Sequence, residues 1–223
     1  MDRMHAHSPF AEDSRPRPVG PPPAVPVLAH HLVLGSAAAT AVLLGAAGVI
    51  VTLEEDQLMG WWGSPAVSNG TLDLVDLLGS LTALTNLVAL IATGVWLLRI
   101  RAVAEWAAPG DRQRRSSAWA VLGWIVPVVN LWFPYQVVAD ASRALGSSVR
   151  TFWPWWIAWL ALNFSVLDRS GGELASAQEL TTWIRSQQLE ALVAVVACIL
   201  WWRVVRSTTR AAQAVVAGSR VVP

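Results

Sequence analysis

The sequence predicts an all-α membrane protein: about four transmembrane helices, a Pro-broken third hydrophobic segment that re-enters or crosses as a short span, and an interfacial amphipathic helix. Three observations carry this. The 223 residues are 54% apolar and only 14% charged, where soluble domains carry about 25% charge. The apolar residues fall in blocks of roughly 20, the length that crosses the hydrocarbon at 1.5 Å per residue. The 14 Trp gather at block ends, where the headgroup level suits a flat apolar ring with one N–H donor.

The elements follow in order. Residues 1–27 hold Pro9, Pro16, Pro18, Pro21, Pro22, Pro23 and Pro26 and predict an extended, disordered cytoplasmic tail. The membrane domain occupies 28–206. Its first span, Leu28 to Leu53, carries His30 and His31 at headgroup depth and ends at Glu54, Glu55 and Asp56. Ala37, Ala41, Gly45 and Gly48 give it a small-residue face that another helix can approach. The second span, Leu72 to Ile100, has Thr71 as its expected N-cap and Asp73 and Asp76 in its first turns, where the helix dipole favours acids. Asp76, Ser80, Ala83, Asn86 and Thr93, with Gly79 and Gly94 beside them, make a polar stripe expected to face other helices. Arg99, Arg101, Arg112, Arg114 and Arg115 mark 99–116 as the most basic connection.

The third segment, 117–133, is barely long enough to cross. It contains Pro127, which removes a backbone donor and clashes with the preceding turn, and it is followed at once by Pro134. Beyond, Gln136, Asp140, Arg143 and Ser147 share one helical face and Val138, Ala141 and Leu145 the other, the pattern of a helix lying in the interface. A fourth stretch, Phe152–Leu167, has Trp153, Trp155, Trp156 and Trp159 at its front. The last span runs from Trp183 to Val205, with Arg203, Arg206 and Arg210 on one face of a helix that continues beyond it, and 207–223 reads as a basic C-terminal tail.

The positive-inside rule arbitrates the third segment. If it returns to the side it came from, only Arg169 and Arg185 lie outside and both termini are cytoplasmic. If it crosses, Arg143, Arg150, Arg203, Arg206, Arg210 and Arg220 lie outside instead, and Arg169 and Arg185 come inside. The re-entrant arrangement also puts Trp96, Trp119, Trp132, Trp153, Trp155, Trp201 and Trp202 in one belt at the inner leaflet.

The string WAVLGWIVPVVNLWFPYQVV, residues 119–138, resembles a bacterial, mostly actinobacterial, membrane family catalogued as domain of unknown function 4328. Trp119, Ala120, Val121, Gly123, Trp124, Pro127, Asn130, Leu131, Pro134 and Tyr135 carry the likeness, which extends over roughly 72–206. It implies a multi-span membrane protein and supplies no activity, ligand or catalytic residue. The plasma membrane of a bacterium is the expected location. All 16 basic residues are Arg, which agrees with GC-rich, actinobacterial coding.

Chemistry is sparse. A net charge of +1 makes no case for nucleic acid. No GxSxG, HExxH or P-loop pattern is present, and Ser80 has no His or Lys at a useful spacing, so no enzyme is predicted. The single Cys, Cys198, excludes an intrachain disulfide and reads as a small buried residue. His5 and His7 are too few ligands for a metal, and no cofactor is expected. Two sets of residues stand out within the Trp119, Gly123, Trp124, Pro127, Asn130, Pro134, Tyr135 segment and the spans. The Pro127–Asn130 break either exposes carbonyls or a helix end to an ion or substrate or is satisfied internally. Asp76 and Glu190, both placed near outer span ends, either form a proton or cation site or simply tolerate the interface. Asn86 and Asn163 suit hydrogen bonds between helices.

The leading expectation is a non-enzymatic membrane component acting through helix–helix, lipid or partner contacts, with anionic lipid at the inner leaflet and a second copy or another membrane protein as partners. A small transporter or channel-like protein using the break is the alternative. The topology is checked by replacing Cys198 with Ala, introducing Cys at Ser147, and treating intact cells with a membrane-impermeant thiol reagent. Protection until the cells are opened is expected; labelling from outside means the third segment crosses.

Overall fold

Long apolar runs uninterrupted by proline become long helices. The structure, a computed structural model, describes residues 20–60, 70–109, 116–126, 128–147, 152–167 and 176–219. Residues 1–19, residues 61–69 with Trp61 and Trp62, Pro127, and the arginines at 112, 114, 115, 150, 169 and 220 lie outside them. Every regular element among the described residues is helical: α1 Val27–Leu53, α2 Glu55–Gly60, α3 Gly70–Ala107, α4 Trp119–Ile125, a 3₁₀ turn Val129–Leu131, α5 Phe133–Ala144, α6 Phe152–Leu167 and α7 Ala177–Ser219.

Helices α1, α3 and α7 are long and apolar enough to cross a membrane. Their outer sides present Val42 and Val49, then Leu77, Leu84 and Ile91, then Leu189, Leu192 and Ile199, an apolar surface that water does not favour but lipid does. Helix α1 sits between α3 and α7. At Gly48 a Cβ would lie 2.7 Å from Ala191 Cβ and 3.3 Å from the Gln187 carbonyl oxygen, so only glycine permits this approach. Thr40 bonds to Thr85 and donates to Asn86 Oδ1, both at 3.1 Å, tying α1 to α3. His30 Nδ1 is 3.1 Å from Thr209 Oγ1, and Trp96 Nε1 donates to the same hydroxyl at 3.0 Å. At the other end Gln188 Nε2 donates to Thr52 Oγ1. Helix α1 therefore runs antiparallel to both neighbours, and its first turn shares an end with the last turns of α3 and α7.

Several boundaries differ from the sequence reading. At about 1.5 Å per residue, the 38 residues of α3 and the 43 of α7 rise roughly 57 and 65 Å, well beyond a 30 Å hydrocarbon layer. Arg99 and Arg101 belong to α3, not to a connection. Arg101 is buried and pairs with Glu105 one turn on, Nε to Oε1 2.6 Å, which lets the helix continue past the charge. The basic tail drawn from 207 is helical to Ser219, with Thr208, Thr209, Ala212 and Val216 buried. Helix α5 forms with Val138, Ala141 and Leu145 buried and Arg143 exposed, as the pattern predicts, but its polar side is not wholly exposed. Asp140 and Ser142 are buried, Arg143 donates to Asp140 Oδ1 at 2.7 Å, and Ser142 bonds to Thr208 at 2.8 Å. Ile100 and Val103 of α3, Val138 and Ala141 of α5, and Val204 and Ala212 of α7 join in one apolar cluster there.

The polar stripe of α3 is displaced in its first half only. Asp76, Gly79, Ser80 and Ala83 are exposed while Val75 and Thr82 are buried, but farther on Asn86 accepts from Thr40 of α1 and Thr93 and Gly94 are buried as expected. Ser80 needs no neighbouring helix because its hydroxyl donates to the Asp76 carbonyl. The Trp belt splits likewise: Trp132, Trp153 and Trp202 are exposed, but Trp96, Trp155 and Trp201 are core.

Leucine at position 48 is expected to lower thermal stability in detergent by about 1–3 kcal/mol, the usual effect of forced overpacking. Gly45→Leu, with nothing within 4 Å of its added Cβ, is expected to leave it nearly unchanged. Equal melting temperatures for the two variants would show that the α1–α7 approach is not what holds the bundle.

Candidate functional site: a cavity halfway along the helices

The third hydrophobic segment is not one helix. Helix α4 has seven residues, rising about 10 Å. It stops because Val126 is extended, φ −79° and ψ 113°, as the residue before a proline must be. After the 3₁₀ turn the chain restarts as α5, with Pro134 in the first turn, where a missing N–H costs nothing.

Most residues of the 119–138 string meet in space. A Cβ on Gly123 would lie 3.3 Å from Phe133 Cβ and 3.7 Å from Pro134 Cδ, so glycine lets α4 rest against the start of α5. Trp119 packs edge-on against Phe133, centroids 4.8 Å apart. Tyr135 meets Trp153 at 5.5 Å. Trp156 Nε1 donates to the Leu131 carbonyl at 3.1 Å and its ring stacks on Trp159 at 4.8 Å. Trp124 meets Trp159 at 5.6 Å, nearly perpendicular. Trp155 stacks on Trp201 at 4.3 Å, fastening α6 to α7.

This assembly closes one side of a cavity of about 610 Å³. Thr40 comes from α1, Thr82, Asn86 and Thr93 from α3, Trp124 and Asn130 from the broken segment, Trp155, Trp159 and Asn163 from α6, and Glu190, Cys198 and Trp201 from α7. Ala37, Ala89, Ala194 and Ala197 also line it, and their small side chains leave the volume open. The cavity lies near the midpoint of each apolar run: Thr40 is central in α1, Asn86 in 72–100, and Ala194 in 183–205. Below and above it the core is filled, by Trp96, Trp155 and Trp201 at one end and by Ala47, Val51, Val75 and Ile184 at the other.

The residues singled out from sequence divide. Asn130 and Glu190 come together at the cavity. Asp76 does not line it and is exposed near the start of α3, so the two acids are not a pair. Glu190 is 3% exposed and about 6 Å from the midpoint of its run, deeper in character than an interfacial acid. Asn86 does bond between helices, but Asn163 Nδ2 donates to the Trp159 carbonyl of its own helix. Asn130 Oδ1 and Trp124 Nε1 are buried with no hydrogen-bond partner among the described residues, which leaves one acceptor and one donor for a guest. Sequence reasoning missed Thr40, Thr82 and the use of Trp124, Trp159 and Trp201 as cavity walls. The Trp-rich front of α6 was the available signal.

No curated protein and no solved structure matches the chain. A family match covers residues 62–210, from the loop before α3 to the extended part of α7, and includes the whole broken segment. The chain belongs to the family described as domain of unknown function DUF4328.

Proposed function

We propose that the protein is a non-enzymatic, multi-pass protein of the bacterial cytoplasmic membrane that binds a small, mostly apolar molecule taken from the bilayer. The observation that carries this is the cavity: a space of about 610 Å³ halfway along the helices, mostly apolar, with a few polar groups converging. That is the usual make-up of a small-molecule site. Partner recruitment through the small face of α1 has less support, because Gly48 is already used inside the chain by α7.

The arrangement in the bilayer is four crossings with α4 and the 3₁₀ turn forming a re-entrant hairpin. Helix α6 is the supporting element. Its 16 residues rise about 24 Å and run antiparallel to α7, since Trp155 meets Trp201 while Asn163 shares the cavity with Glu190. The chain must also return from the end where Ser142 bonds Thr208 to the end where Thr181 meets Met59. Arg99, Arg101, Arg143, Arg203, Arg206 and Arg210 sit on the helix ends that share the first of these two sides, which is then cytoplasmic and faces anionic lipid. A transporter reading is favoured by one feature, Asn130 reaching the cavity from broken backbone. Solute flux in vesicles would extend the binding role to transport.

The test uses the purified full chain in lipid nanodiscs and the neutral probe N-phenyl-1-naphthylamine, read by energy transfer from Trp. Saturable binding above that of empty nanodiscs is expected. Ala89→Trp and Cys198→Phe, which fill the cavity from α3 and α7, are expected to abolish it without lowering the melting temperature. Partition no different from empty nanodiscs overturns the proposal.

A further inference from the structure

We infer that the cavity selects lipophilic cations, an inference that rests on its being a ligand site and specifies the ligand class. The charge around the cavity has one sign. Among the described residues Glu190 is the only carboxylic acid in its wall, and no Arg or His lines it. The described arginines lie elsewhere, toward the helix ends. An anion brought to this depth would meet a carboxyl and, among the described residues, no fixed positive charge lining the space. A cation would meet the carboxyl in a low-dielectric surrounding, where opposite charges attract far more strongly than in water.

The polar groups agree. The Thr82 hydroxyl donates to Leu78, and Asn163 Nδ2 donates to Trp159. These two donors are committed to helix backbone, while their oxygens and Asn130 Oδ1 are acceptors, the partners a cationic or N–H-bearing group needs. The Trp124 indole N–H is a buried donor with no hydrogen-bond partner among the described residues.

The aromatic wall is the second, independent feature. Trp124, Trp155, Trp159 and Trp201 all line the space. The rings of Trp124 and Trp159 stand at 86° to one another, and those of Trp155 and Trp201 stack at 20°. Tryptophan faces are the strongest aromatic partners of a cation whose charge is spread over bulky apolar substituents, and desolvation strengthens the attraction. A box of indoles with one carboxyl discriminates by charge sign without requiring a particular shape. The ligand class is therefore a hydrophobic ammonium, phosphonium or similar delocalised cation soluble in the bilayer.

Tetraphenylphosphonium and tetraphenylborate separate sign from size, because they are nearly the same shape and opposite in charge. With the full chain in nanodiscs and empty nanodiscs as background, tetraphenylphosphonium is expected to bind saturably and about tenfold or more tighter than tetraphenylborate. In Glu190→Gln the ratio of tetraphenylphosphonium to N-phenyl-1-naphthylamine affinity is expected to fall by about tenfold. Trp124→Leu is expected to weaken the cation selectively, and Trp124→Phe to retain most of its binding. If cation and anion bind alike, or Glu190→Gln leaves the ratio unchanged, the cation inference is overturned while neutral-probe binding keeps the cavity as a ligand site. If no probe of any charge saturates, both are overturned.

Discussion

At Gly48 the backbones of α1 and α7 approach until nothing larger than a hydrogen fits between α1 and Ala191. Helices in lipid gain nothing from excluding water, so close van der Waals contact and interhelical hydrogen bonds must hold them. This contact does so on one side of α1, and the Thr40, Thr85 and Asn86 hydroxyl–amide cluster does so on the other. With α1 drawn against α7 at one level and tied to α3 at another, the three helices fill their shared core at both ends. Between those ends the facing residues are Ala37, Ala89, Ala194 and Ala197, too small to meet. The cavity is thus a consequence of where the large side chains are placed.

The broken segment depends on that opening, and the opening on it. Backbone that is not helical at membrane depth is tolerated only when buried in protein or lining a cavity. After α4 ends, the Leu131 carbonyl is taken by the Trp156 indole, so one group freed by the break is satisfied by α6. The same Trp156 ring stacks on Trp159, which with Trp124 forms the cavity wall. Without α6 beside it the turn would lose that hydrogen bond, and without the turn the cavity would lie open along the α4 side. Gly123 is what allows the two halves of the segment to fold against each other.

Much of this was legible in the sequence, for identifiable reasons. Span length follows from hydrocarbon thickness, so α1 and the cores of α3 and α7 could be read directly. Val126 before Pro127 fixed the end of α4 through a purely local clash. Asn130 and Glu190 stood out because polar groups are costly in apolar runs. What could not be read was which faces turn toward which. One residue along a helix is 100°, and that offset separates the expected stripe through Asp76 from the buried line through Val75. Nor does charge alone mark a helix end: Arg101 would stop a span, but paired to Glu105 within the helix it is carried into the packed region beyond. The burial of α7 past 206 was hidden for the same reason, since Thr208 and Thr209 look polar until Ser142, His30 and Trp96 are placed against them.

The position of Glu190 shows how packing and chemistry are joined. An acid near the middle of a span costs roughly 2.5–3.5 kcal/mol on insertion scales, and an apolar residue there would remove that cost. The acid persists in the fold because α7 is turned so that Gln187 and Glu190 are buried while Leu189 and Leu192 face outward. That rotation is set by a close helix contact, since Gly48 seats against Gln187 and Ala191, the residues that bracket Glu190 along the helix. Rolling α7 by a single residue would swing the carboxyl by about 100° toward the bilayer and bring a leucine to the cavity wall. The glycine that lets the helices touch is therefore also what aims the one acid into the cavity, and the binding chemistry proposed for that space is a property of the helix contact as much as of the residues that line it.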